Sequence, residues 1–155
     1  MRPSKKVSDS QTMQQYLIRP AHINPYGRLF GAQLLKWIDE VAGIVAVRHA
    51  NAIVTTAAID NLQFTKPAYA GQMIVLLGQV TYVGRTSMEV RVDTFTEALD
   101  GTRNLINRAY IDMVAINNEG QAIEVPSLEL ETDEQREEYE AAIKRKEMRK
   151  QRRLE

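Results

Sequence analysis

Cysteine is absent from this chain of 155 residues. Its absence excludes disulfide bonds, thiolate metal sites and a cysteine nucleophile. Histidine occurs twice, too sparsely for a histidine-based metal site, so no metal is expected. Excess charge of one sign is missing as well. Lysine plus arginine number 20 and aspartate plus glutamate number 20, so the basic surplus of a nucleic-acid-binding protein is not there. Long apolar runs are also lacking. The most apolar stretch, Leu34 to Val47, is broken by Lys36, Asp39 and Glu40, whereas a membrane span needs about 20 mostly apolar residues. Met1 to Gln15 is polar and has no signal-peptide core. Together these features predict a cytoplasmic protein that is neither membrane-bound nor a nucleic-acid binder. A serine-centred triad finds no G-x-S-x-G elbow.

What remains is ordinary globular material, 44% hydrophobic and 26% charged, enough for one core. Residues 1–10 are charged and serine-containing and read as a flexible terminus. Residues 11–130 read as the domain. Tyr16 to Arg19 ends a first strand closed by Pro20, and Asn24-Pro25 with Gly27 marks a turn. From Gly31 to His49 the spacing predicts a helix that is apolar on nearly every side and therefore buried. Around Asp39 the helical neighbours include Ala32, Ala42, Gly43 and Ala46, small residues that permit close approach.

Strands follow the helix. Ile53 to Phe64 is rich in β-branched residues, and Met73 to Val83 is a second run. Met88, Val90 and Val92 alternate with Glu89, Arg91 and Asp93, which predicts a half-buried strand. Asp100-Gly101 is a hairpin signal before the run Leu105 to Ile116. Residues 131–155 form a charged helix or tail. Thr132 to Gln135 has capping-box spacing. Six acids in residues 131–140 precede seven bases in 144–153, the order a helix dipole favours. One long helix followed by antiparallel strands predicts an α+β domain in which a sheet wraps the helix. Its exposed strand edges suit dimerisation.

Several residues are candidates for chemistry. Asp39 lies in an otherwise apolar helix, where a carboxylate is costly. It reads either as a general base or nucleophile at a cleft floor, or as an acid paired with Lys36 or exposed beside Glu40. Phe30-Gly31-Ala32 opens the helix, and the amides at such a helix start can hold an oxyanion or simply ease the turn. Asn24 and His22 precede it and can orient a carbonyl or water, or serve as turn residues. His49 reads as a capping cation beside Arg48. Gly84-Arg85-Thr86-Ser87 combines a tight turn, a guanidinium and two hydroxyls, suited to a phosphate or to a plain β-turn.

In order along the chain, His22-Ile23-Asn24, Leu29-Phe30-Gly31-Ala32, Trp37 to Gly43, Arg48-His49, Thr56-Ala57 with Asp60 and Phe64, Pro67, Gly71, Gly84 to Val90 and Val125-Pro126 resemble the cytosolic acyl-CoA hydrolases of the hotdog superfamily, the YciA-type and brain-type enzymes. The resemblance spans residues 12–150, and its most specific parts are Phe30 to Gly43 and Gly84 to Val90. It implies a hotdog fold with a C-terminal helix, and a thioesterase that releases free fatty acid and CoA from acyl-CoA without a cofactor. Catalysis would rest on Asp39, with Gly31, and Ala32 beside it, offering amides to the thioester oxygen. Asn24 would line the site together with Phe30, and Thr56 would face it. Gly84, Arg85, Thr86 and Ser87 would meet the CoA nucleotide, with Arg145 or a neighbour on its phosphates. The chain would form dimers with sites at the interface, assembled into hexamers as trimers of dimers. Two departures stand out. The family carries a second glycine where this chain has Ala32, and a serine is common at the position of Ala58. The alternatives are a non-catalytic acyl-CoA-binding or regulatory module, and a hotdog hydratase or dehydratase, which use a histidine that this helix core lacks.

Overall fold

The run of apolar residues after Gly31 becomes a single helix, α1 (Gly31–Ala50), and it is buried as its composition demands. The computed structural model describes residues 2–60 and 62–154. Four long strands follow α1: β3 (Ile53–Asp60), β4 (Met73–Val83), β5 (Ser87–Glu97) and β6 (Arg103–Ile116). Before α1 come β1 (Ser4–Lys6) and β2 (Thr12–Leu17), and after β6 come β7 (Ser127–Glu129) and helix α2 (Asp133–Leu154). The main sheet has the order β2-β4-β5-β6-β3 and is antiparallel throughout. α1 packs against it, so the architecture is the hotdog fold with an added C-terminal helix.

Helix and sheet meet through Leu34, Trp37, Ile38, Val41 and Val45 on α1 and Ile74, Leu76, Val80, Val90, Val92 and Ile111 on the strands, all buried. Each large apolar side chain buried this way contributes roughly 1.5–3 kcal/mol. The approach is closest at Gly78. A methyl group there would sit 2.8 Å from Val41 Cγ1 and 2.9 Å from Val45 Cγ2. The Asp100-Gly101 hairpin forms as the sequence predicts. Gly101 takes φ 88°, and the Thr102 amide donates to Asp100 Oδ1 at 2.9 Å.

Four expectations need correction. Residues 4–9, read as a flexible terminus, carry regular structure instead. β1 pairs in parallel with β7, and Val7 and Ser10 are buried. The strand expected over 53–64 ends at Asp60, and Asn61 lies outside the described residues. β5 is not half-buried, because α2 covers its outer residues. Glu89 is 1% exposed and Asp93 is 5% exposed. Finally, His49 is not a capping cation. It is fully buried, and its Nε2 donates to the Pro126 carbonyl at 2.7 Å. Because a carbonyl only accepts, Nε2 carries a proton, and the buried Nδ1 has no hydrogen-bond partner among the described residues. The helix ends instead on Asn51, in the left-handed region at φ 54°, whose amide donates to the Val47 carbonyl.

α2 starts where expected. The Gln135 amide donates to Thr132 Oγ1 at 3.1 Å, and Gln135 Oε1 accepts from the Glu131 amide, one residue earlier than a standard capping box.

Two measurements check this account. Gly78→Ala should lose about 1–3 kcal/mol by overpacking, visible as a Tm several degrees lower in calorimetry. Burial pushes the His49 pKa down, as do the nearby Lys5 and Arg2 charges, and these outweigh the Pro126 bond. The folded state therefore binds a proton less readily than the unfolded chain, and the resulting stability is complete above the ordinary histidine range and lost as pH falls through it. Denaturant midpoints should decline from pH 8 to pH 5.5, and His49→Gln should flatten that slope.

Candidate active site

Asp39 sits two turns into α1, partly buried, where the small residues around it let β3 pass close by. Its partner is the Thr56 hydroxyl, which donates to Asp39 Oδ1 at 2.7 Å, rather than the Lys36 ammonium. Thr56 pairs with Met113 of β6 in register, and the ladder shifts immediately after it, between Thr56 and Ala58. A bulge of this kind re-aims side chains at the edge of a sheet. β3 is an edge strand, with one side unpaired. Beside the Asp39–Thr56 pair runs an open apolar groove of about 1030 Å³, lined by Gly43, Ile44, Val47, Ile53 and Val54 among others. Val47 and Ile53 are about half exposed there.

At the other end of α1 lies a smaller cleft of about 270 Å³, lined by Asn24, Leu29, Gly31, Phe64, Pro67 and Ile106 among others. The first amides of the helix are available here. Phe30 offers no side-chain cap, and among the described residues the Gly31 and Ala32 amides donate no hydrogen bond, as the first turn of a helix leaves them. Phe64 lies across Gly31, its ring carbon 3.4 Å from where a Cβ would be. Phe30 is half exposed beside it.

Asn24 shapes the turn before the helix. Its Oδ1 accepts from the Tyr26 amide at 2.9 Å and the Arg28 amide at 3.2 Å, as a turn-forming asparagine does. Those two donors fix which end of the amide is oxygen. Its Nδ2 makes no hydrogen bond among the described residues, and Asn24 is one of the residues lining the cleft. His22 is structural: its Nδ1 accepts from the Arg19 amide at 3.0 Å, and its ring stands edge-on to Trp37.

The turn Gly84 to Ser87 is tied down by its backbone. The Gly84 amide donates to the Ser87 carbonyl, the Val125 amide to the Arg85 carbonyl and the Ala115 amide to the Thr86 carbonyl. Arg2 bridges the Gly84 and Val125 carbonyls. Lys146 approaches Gly84 and lies over the Tyr82 ring. The structure thus gathers Arg2, Arg85 and Lys146 at the turn. Lys146 belongs to the basic stretch 144–153, whereas nothing in the sequence pointed to Arg2, which only the fold brings to this turn.

Arg145, expected on a phosphate, is committed elsewhere. It grips Glu89 with two bonds of 2.7 and 3.0 Å, bonds Glu138 at 3.2 Å and stacks 3.6 Å over the Tyr110 ring. Glu89 also accepts from Thr81 Oγ1 at 2.6 Å. Arg145 faces the sheet beneath α2, whereas its neighbour Lys146 reaches the turn. Losing one partner of such a buried pair strands the other charge. Arg145→Ala should therefore cost about 3–5 kcal/mol in urea titration. An unchanged midpoint with a raised KM for acyl-CoA would instead make Arg145 a ligand for phosphate.

A family profile described as Thioesterase superfamily matches residues 26–100. The chain belongs to that superfamily, the hotdog thioesterases. Within it, several similar proteins carry acyl-CoA hydrolase names. A Bacillus subtilis protein called uncharacterized acyl-CoA thioester hydrolase YkhA is 33% identical over 145 residues, 93% of this chain and 84% of that one. An acyl-CoA hydrolase from Staphylococcus aureus, solved with butyryl coenzyme A, coenzyme A and coenzyme A disulfide, is 34% identical with a TM-score of 0.92, covering 98% of this chain and 93% of that one. That enzyme has also been solved with one aspartate, one asparagine or one threonine replaced by alanine. A hexameric acyl-CoA thioesterase is 41% identical with a TM-score of 0.93 over 97% of both chains.

Proposed function

We propose that this chain is an acyl-CoA thioester hydrolase that acts as a dimer, with Asp39 as its catalytic carboxylate. The observation that carries the proposal is the Asp39–Thr56 hydrogen bond at the border of an apolar groove and an unpaired strand edge. A carboxylate with one oxygen held by a hydroxyl keeps its other oxygen directed, as a base or nucleophile requires. Two residue types altered in the Staphylococcus aureus relative, aspartate and threonine, meet here, and the third, asparagine, lines the cleft at the start of α1.

Gly31 and Asp39 are eight residues apart on one helix, roughly 12 Å along its axis. One thioester carbonyl does not reach both within a chain. Two copies joined antiparallel through β3, with their α1 grooves facing, bring the Gly31 and Ala32 amides of one copy toward Asp39 of the other. The apolar groove and the open β3 edge are what such a pairing would cover. The helix-start amides and Asn24 Nδ2 then polarise the thioester oxygen. Asp39 either takes a proton from the attacking water or attacks the carbonyl itself, and the CoA thiolate leaves. Phe30 and Ala32 flank the carbonyl, and the Ala32 methyl narrows the space that a second glycine would leave.

The CoA nucleotide lies at the Gly84, Arg85, Thr86 and Ser87 turn. Its phosphates fall to Arg85, Lys146 and Arg2, since Arg145 is held by Glu89. Trimers of these dimers give a hexamer, the assembly named for the 41% identical relative.

Thiol release from butyryl-CoA and longer acyl-CoAs tests the assignment. Asp39→Ala should lower kcat by about 10²–10⁴-fold with KM nearly unchanged and Tm preserved. Turnover within a few-fold of the parent would refute it.

A further inference from the structure

The buried stripe of α1 runs through Leu34, Ile38, Val41 and Val45 and ends on His49. The core-facing stripe of a helix is ordinarily apolar, so a histidine is out of place at its end. Its Nδ1 is buried without a partner among the described residues, and a buried polar atom left so is costly. What the histidine supplies is its one hydrogen bond, from Nε2 to the Pro126 carbonyl at 2.7 Å.

Pro126 lies in the irregular connection from β6 to β7. The residue before it, Val125, is 1% exposed and is fastened to the turn Gly84 to Ser87 through both of its backbone groups. Its amide donates to the Arg85 carbonyl at 2.9 Å, and its carbonyl accepts from Arg2 Nε at 2.7 Å. Arg2 Nη2 reaches on to the Gly84 carbonyl at 2.6 Å. A chain of hydrogen bonds therefore runs from the last turn of α1, through two consecutive residues, to the turn and its two arginines. The anchor of that chain on α1, the helix that carries Asp39, is His49.

We propose that His49 is a positioning residue for the nucleotide end of the substrate. By holding Pro126 it fixes where the Gly84 to Ser87 turn, with Arg85 and Arg2, stands relative to α1. The inference rests on the reading above that this turn meets the CoA nucleotide. Loss of the bond frees residues 125–126 from the helix. It leaves in place the Asp39–Thr56 bond, roughly three turns earlier on α1. The effect therefore falls on binding of the nucleotide and not on the chemical step.

Kinetics on butyryl-CoA and on butyryl-pantetheine, the same thioester without the nucleotide, test the inference. In the parent, kcat/KM should favour butyryl-CoA by about tenfold or more. His49→Leu should raise KM for butyryl-CoA about tenfold with kcat nearly unchanged, and leave kcat/KM for butyryl-pantetheine at the parent value. His49→Gln, which keeps an amide donor of similar reach, should restore the parent KM. His49→Met takes the place of His49→Leu if the latter does not fold. An unchanged KM for butyryl-CoA in the apolar variant overturns the inference. So does an equal loss on both substrates, or failure of both apolar variants to fold, since either reduces the bond to a structural one. A parent that hydrolyses the two substrates equally well overturns the nucleotide reading of the turn, and this inference with it, but not the hydrolase assignment. A parent that hydrolyses neither overturns that assignment.

Discussion

The close seating of α1 on the sheet at Gly78 is the constraint on which the other features depend. With no side chain at that position, Val41 and Val45 come almost to backbone contact with β4. The helix axis is thereby pinned to the strands, and so is everything it carries. Its first turn points bare amides into one cleft. Its middle presents Asp39 to Thr56 of β3. Its last turn delivers His49 to the Pro126 carbonyl. A helix set an ångström or two further out would lose the Asp39–Thr56 bond, because hydrogen bonds weaken quickly beyond normal contact.

The opposite face of the sheet is organised by charge instead of apolar packing. α2 lies over the sheet and matches outward residues of β5 and the end of β3 with paired ions: Arg145 on Glu89, Arg91 on Glu138, Arg149 and Arg152 on Asp60. Arg108 grips Asp93 with two bonds as well. Buried pairs of this kind add little net stability over apolar packing but penalise any misaligned arrangement. One of them reaches toward the site, since Asp60 ends the strand that bears Thr56.

A single chain leaves two surfaces unfinished, the β3 edge and the apolar groove beside Asp39. Both lie next to Asp39: the groove is lined by Glu40 and Gly43 of the same helix, and Thr56 of β3 bonds its carboxylate.

The order and type of the main elements were legible in the sequence, because they follow from local periodicity. The apolar helix over 31–49 and the strand over 73–83 match the structure nearly residue for residue. Asp39 was conspicuous as a charge among apolar neighbours. What the sequence could not decide was partnership across the chain. That residues 4–6 pair with 127–129, that Arg145 turns to Glu89 while Lys146 turns to Gly84, and that His49 is buried against the Pro126 carbonyl all depend on segments far apart in sequence. Periodicity tells which face of an element is apolar. Only the packed tertiary structure decides which distant group lies opposite each polar side chain, and with it whether that side chain serves as an anchor or is left to act on a ligand.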